Sequence, residues 1–283
     1  MCLAAIAIDQ SRRFPLVVAA NRDEFLDRPA ARLGWWSPSP GAGEILAGRD
    51  LHGGGTWLGL TAAGRMALLT NVRRPGARDD DAPSRGTIVP TWLRGDLDAD
   101  RFWVRTALSG YNPFNLVAAD FRRGECFWAT SDAPAPRRLD RGLYGLSNAA
   151  LDTPWPKVTA LKEQVREALA GSDSAEDLST RLFAALADRT VAPAFIRSAD
   201  QRYGTRCSTL VITERVGKRL VTHVFERTFP VGGGLALLRH ASLRDWPPKY
   251  SDRETVSSQS APVADLADGA APRRTRVRSL LRR

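Results

Sequence analysis

Cysteine is scarce in this chain of 283 residues: three are present, Cys2, Cys126 and Cys207. An odd, widely spaced set forms no disulfide framework and no zinc clip, which excludes a disulfide-stapled scaffold and points to a reducing compartment. Histidine is as rare. His52, His223 and His240 stand far apart, without the His-x-x-x-His or His-x-x-Glu-His spacing of a zinc site, so neither a metal nor a cofactor is expected. Gly53-Gly54-Gly55 lacks the Gly-x-Gly-x-x-Gly spacing and a Walker Lys-Ser/Thr. It reads as a close-packed turn before a strand and not as a phosphate cradle. No segment approaches the ~18 to 20 uncharged apolar residues of a membrane span. The apolar run at residues 3–8 follows no basic region and is shorter than the ~7 to 15 residues of a signal-peptide core. The expected setting is the cytoplasm.

Lysine is the next scarcity: Lys157, Lys162, Lys218 and Lys249 stand against 37 arginines. The net charge of +10 first suggests nucleic acid, so the location of the charge decides its meaning. Arg273, Arg274, Arg276, Arg278, Arg282 and Arg283 crowd the last eleven residues. Without those six the charge is +4, and acidic runs such as Asp79-Asp80-Asp81 are mixed into it. The body is only mildly basic, which argues against nucleic acid as its partner.

What the chain does contain is an ordinary globular composition, 43% hydrophobic and 25% charged. Its length suits two average domains or one large layered domain. Residues 3–8 and 15–20 are continuous apolar runs joined by a polar turn, a candidate hairpin of strands buried on both faces. Residues 28–40 turn to Pro, Gly and Trp and read as a loop anchored by aromatics; Trp35-Trp36 is either such an anchor or the mouth of a pocket. A second hairpin spans 56–60 and 66–70 around the turn 61–64. Further strands are expected at 115–119, 125–129, 143–146, 208–213 and 220–226. Between these groups, Val158, Leu161, Val165 and Leu169 recur at helical spacing after Pro154-Trp155-Pro156, with Gly171 as the stop. Ser174 and Asp177 resemble a capping box ahead of the apolar face Leu178, Leu182, Phe183 and Leu186. This order predicts an α+β layered domain over residues 1–250. The Ser/Ala/Asp/Pro-rich and then arginine-rich residues 251–283 read as a disordered basic tail.

The second residue carries the chemistry. Methionine is usually trimmed before a small residue, which would leave Cys2 with a thiol and an α-amine together. With unperturbed pKa values of ~8.5 for the thiol and ~7.7 to 8.0 for the amine, the amine can serve as the base for its own side chain. Across the first hairpin lies Asn21-Arg22-Asp23-Glu24-Phe25. This run either closes into a salt-bridged turn or supplies hydrogen-bonding groups beside Cys2: Asp23 to hold the α-ammonium, Arg22 to bind a substrate carboxylate or support the thiolate. Cys126, between strand residues, reads as inert core, and Cys207, though it follows Arg206, as packing.

These residues resemble a family. Met1-Cys2, Ala20-Asn21-Arg22-Asp23-Glu24-Phe25 with Arg28-Pro29, Gly48-Arg49-Asp50, Gly54-Gly55-Thr56-Trp57-Leu58-Gly59 and Leu69-Thr70-Asn71-Val72-Arg73 are similar to the NRDE family. That family includes the eukaryotic transport and Golgi organisation proteins. Leu146-Ser147-Asn148, Trp155-Pro156-Lys157 and Tyr203-Gly204-Thr205-Arg206 extend the resemblance to about residue 250. The family is in turn similar to N-terminal nucleophile hydrolases of the choloylglycine hydrolase and penicillin acylase group. This implies a four-layer αββα sandwich with catalytic residues Cys2 (nucleophile), Asp23 (amine partner), Asn71 and Asn148 (oxyanion asparagines) and Arg206 (the late arginine). Asn21, Arg22 and Glu24 are the expected substrate-binding residues. One departure stands out: those enzymes carry Arg-Asn-x-Asp on the second strand, whereas here the arginine is shifted two positions, to Arg22. Strand parity keeps it on the same face but at a different point of the site.

Two functions follow as expectations. The first is an amidohydrolase that cleaves a C–N amide bond of a small or acylated substrate through a Cys2 thioester. The second is a non-catalytic binding or trafficking protein that holds a hydrophobic ligand, such as haem or an acyl-CoA, in the same pocket.

Overall fold

The computed structural model describes residues 2–248, apart from 75, 77, 78 and 191; Met1 and the expected tail lie outside the described residues. The first expected hairpin is β1 (Cys2–Ile8) and β2 (Leu16–Phe25). Asp9 turns it with φ of 50°, and its N–H meets the Pro15 carbonyl at 2.7 Å. Next come β3 (Ala30–Trp36), β4 (Ile45–Asp50), β5 (Leu58–Leu60) and β6 (Arg65–Asn71), then α1 (Ile88–Arg94) and α2 (Ala99–Ala107). The chain continues through β7 (Phe114–Asp120), β8 (Glu125–Thr130), β9 (Arg137–Arg138) and β10 (Gly142–Leu146). The helices α3 (Pro156–Gly171) and α4 (Ala175–Leu186) precede β11 (Tyr203–Val216), β12 (Arg219–Thr228) and β13 (Leu237–Arg244).

The strands form two antiparallel sheets, one ordered β10-β1-β2-β11-β12-β13 and the other β3-β4-β5-β6-β7-β8-β9. Alternation along each strand gives every sheet two apolar faces, and three cores fill the spaces beside them. Leu3, Ala5, Val17, Ala19 and Leu210 pack on the faces of α3 and α4 that carry Val158, Leu161, Leu178 and Leu182. Ala4, Ile6, Val18 and Val211, of opposite parity, meet Leu46, Leu60, Met66 and Val117 of the second sheet. Ala47, Ala67, Leu69 and Leu116, on that sheet's far face, meet Trp92, Leu93, Phe102 and Trp103 of α1 and α2. The result is the four-layer αββα sandwich, of α+β class.

The expected helices at 156–171 and 175–186 are present, and the Ser174 side chain accepts the Asp177 N–H at 3.1 Å as a cap. Three differences have physical causes. The expected loop at 28–40 contains β3, an edge strand whose register shifts between Ala31 and Gly34, so its exposed residues break the alternation. At the other sheet's edge, β13 is mostly exposed and carries no apolar face to read. The helix pair α1 and α2 was not expected from the sequence because Ile88-Val89-Pro90 opens α1 with two β-branched residues and a proline.

Candidate active site

Antiparallel pairing brings the start of β1, the end of β2 and the start of β11 to one end of the sandwich. Cys2 stands opposite Arg22, and Arg22 opposite Cys207, so three strands present one residue each in a row. Cys2 and Arg22 share the parity of Ala4, Val18 and Ala20, which face the second sheet. Asp23, the next residue, lies across from Thr205 and takes the opposite parity.

Cys2 is half-buried. Burial pushes its thiol up, while a hydrogen bond from the Asp23 backbone N–H and the charge of Arg22 pull in the other direction. Burial likewise lifts Asp23 to about 6, against a hydrogen bond from Thr205 and the charges of Lys157 and Arg22. The Thr205 hydroxyl donates to Asp23 Oδ1 at 2.8 Å, and the Tyr203 hydroxyl donates to the Asp23 carbonyl at 2.8 Å. The carboxyl is therefore fixed from β11 and ionised above about pH 6.

The second sheet reaches this end through β6. The Ser147 hydroxyl, just after β10, donates to the Cys2 carbonyl at 2.7 Å, and the Thr70 hydroxyl donates to the Ser147 carbonyl at 2.6 Å. An Asn148 amide N–H donates to the Asn71 carbonyl at 2.7 Å, and the Arg73 N–H to the Asn148 carbonyl at 2.9 Å. Asn71 and Asn148 thus sit on one hydrogen-bonded bridge that ends on Cys2. Asn148 holds the Asn71 main chain, and Asn71 itself is half-buried at the end of β6.

The other expected site residues divide. Asn21 faces the helix layer, where its amide donates to Leu186 O at 2.8 Å and Ala194 O at 2.9 Å and its Oδ1 accepts from Ser208 at 2.6 Å. It braces the sheet on α4 and is not turned toward Cys2. Glu24 caps the Phe25 N–H at 2.9 Å and lies 3.8 Å from Arg22 Nη2. Arg206 sits in the β11 bulge, and its guanidinium donates to the Phe25 and Leu26 carbonyls, clamping the end of β2. Its charge environment includes Arg22, so it belongs to the neighbourhood of the row, on the side away from β1. Burial holds Cys207 protonated, far above the usual thiol value, and pushes Cys126 to about 12.

Lys157 and Asp50 are additions that sequence reasoning missed. The charges of Asp23 and Cys2 both act on the Lys157 ammonium at the start of α3, although burial lowers its pKa overall. Its rarity, and its place in the Trp155-Pro156-Lys157 motif, was the available signal. Asp50 Oδ2 accepts from Arg22 Nη2 at 2.8 Å and Arg28 Nε at 2.7 Å, while its Oδ1 accepts the His52 and Gly53 N–H groups. Trp57 lies on the Arg22 guanidinium, 4.5 Å from ring centroid to Cζ. The Trp35 side chain lines a groove of about 600 Å³ with Arg94 and Arg122, at the end of β6 remote from Asn71. Among the described residues no group of three or more His, Cys, Asp or Glu could hold a metal, and no helix is long and apolar enough to cross a membrane.

A family model described as Transport and Golgi organisation 2 matches residues 1–230. The Transport and Golgi organization 2 homolog of Mus musculus is 35% identical over 187 residues, 62% of this chain and 66% of that protein. The Homo sapiens homolog is 36% identical over the same length and shares. The chain therefore spans just under two thirds of the length of these relatives. The Drosophila melanogaster Transport and Golgi organization protein 2 is 24% identical over 270 residues, covering 81% of this chain and 92% of that one. Among solved structures, a Caenorhabditis elegans N-acylethanolamine-hydrolyzing acid amidase ortholog aligns with a TM-score of 0.46 at 12% identity, over 75% of this chain and 92% of its own.

Proposed function

The chain belongs to the Transport and Golgi organisation 2 family, and from that premise we propose that it works as an N-terminal-cysteine amidohydrolase on a small or acylated amide. The observation that carries this reading is the convergence of Cys2, Asp23, Asn71 and Asn148 on one end of the sandwich, joined by the Ser147 bridge.

The chemistry needs Met1 removed, so that the α-amine belongs to Cys2. The free amine takes the thiol proton as Sγ attacks the substrate carbonyl carbon, forming the C–S bond and a tetrahedral oxyanion. A thiol raised by burial requires such a base, and the ionised Asp23 orients the resulting ammonium. The Asn71 amide stabilises the oxyanion, and Asn148 and Thr70 keep its strand in place. The ammonium then protonates the departing nitrogen as the C–N bond breaks. Water adds to the thioester, the amine accepts its proton, and the C–S bond breaks to release the carboxylic acid. The half-buried Lys157, whose charge couples to both groups, offsets the negative charge of Asp23 and the thiolate.

A panel of amides given to Met-processed protein tests this reading, scored as turnover by wild type minus Cys2→Ala. Turnover confined to the wild type supports it. Equal rates in both proteins contradict it, and hydrophobic-ligand binding without turnover by either would favour the non-catalytic carrier.

A further inference from the structure

We propose that Arg22 and Arg206 form a carboxylate-binding subsite beside Cys2, so that the amide taken by the site carries a carboxylate group. The inference rests on the amidohydrolase reading and adds the substrate class.

Arg22 is only 5% exposed, yet its Nη1 has no hydrogen-bond partner among the described residues. A buried donor left without a partner costs free energy, more so on a charged group, so a partner is expected to arrive from outside. The rest of the side chain is held rigidly: Asp50 takes Nη2 at 2.8 Å, and Trp57 lies on the guanidinium face. Arg206 repeats the pattern. Its Nη1 is spent on the carbonyls of Phe25 and Leu26, while its buried Nε has no partner among the described residues.

Both arginines line one small pocket of about 20 Å³ between the sheets, with the exposed Arg32 of β3 and with Trp57, Cys207, Glu226 and Thr228. That volume admits roughly one or two oxygen-sized groups. Two guanidinium groups that line one small space and each keep an unpaired N–H donor suit a planar oxyanion, which would satisfy those donors and relieve the repulsion of the like charges. Glu226 does not fill that role, because its oxygens already accept from the Leu33 N–H at 2.7 Å and, at 3.4 Å, from the Thr209 and Thr228 hydroxyls. Burial also favours its uncharged form. The place of Arg22 opposite Cys2 sets the subsite one strand from the thiol, on the same face.

The test is calorimetric binding to full-length Cys2→Ala protein, which needs no turnover. N-acetylglycine and its uncharged methyl amide are compared, with acetate and inorganic phosphate as further arms. The expected result is that N-acetylglycine binds at least tenfold more tightly than the amide and that Arg22→Met and Arg206→Met each erase the preference. Arg22→Lys should recover only part of it, since an ammonium lacks the fork. Arg206 is half-buried, so its variant keeps the test decisive if Arg22→Met fails to fold. Equal binding of acid and amide, binding of neither, tighter binding of phosphate or of free acetate than of N-acetylglycine, or a preference that survives both Met substitutions overturns the subsite. Failure here would leave acyl labelling of Cys2 untouched, whereas a Cys2 that resists labelling would count against the hydrolase reading and not against this binding.

Discussion

Asp23 is pulled two ways. A carboxyl raised to about 6 in the fold, above the ~4 of an unfolded aspartate, binds its proton more tightly in the native state. Its contribution to stability is full below about pH 4 and is lost as the pH rises through 6, just where the proposed chemistry needs the ionised form. Asp23→Asn should therefore gain about 1–2 kcal/mol of unfolding free energy at pH 8, shrinking toward zero near pH 4, while lowering turnover at least tenfold. Urea unfolding at the two pH values and the rate profile of wild type, with an acid limb near 6, check both halves. At Asn71, Asn71→Ala should lower kcat by ~10²–10³ with little change in KM if its amide meets the oxyanion. Cys2 and Asp23 were legible in the sequence because a hairpin with a short turn fixes its own register, and so brings residue 2 level with residues 22 and 23. The Asp50 partner of Arg22 lies 28 residues away, and Arg206 lies 180 residues from the Leu26 carbonyl that it clamps; no local pattern carries such distances.

At the scale of elements, the strands with two buried faces were readable as apolar runs, and α3 and α4 as 3.6-residue periodicity. The edges were not. β3 and β13 each lack a partner on one side, so exposed and polar residues there erase alternation. The turn before β5 depends on a feature no propensity reveals: a Cβ on Gly55 would lie 2.0 Å from the Gly86 carbonyl oxygen. The obstacle is backbone, bound in turn by the Thr56 N–H at 3.0 Å, and cannot swing aside. Gly55→Ala should cost about 3 kcal/mol or more, read as a lowered urea midpoint at unchanged slope. Gly54→Ala, with no heavy atom within 4 Å but φ of +71°, should cost only about 1 kcal/mol.

The whole molecule separates charge from chemistry. The six terminal arginines lie outside the described residues, and we propose that residues 1–250 fold without them, since Met1–Ser251 forms a compact unit of its own. Removing 251–283 should shift Tm by less than about 2 °C and leave the Cys2 site intact; a loss of folding would show that the tail belongs to the domain. Within the sandwich, the proposed site would draw Cys2 and Asp23 from one sheet and Asn71 from the other, and Ser147 and Asn148 join the two by hydrogen bonds. The central claim is that this bridge surrounds a nucleophile at the mature N-terminus. Intact-mass spectrometry before and after treatment with an electrophilic acyl probe tests it most directly. The account predicts loss of Met1, one added acyl group mapped to Cys2, and no addition to Cys2→Ala. Retention of Met1 in mature protein, or equal labelling of the Cys2→Ala variant, would contradict it.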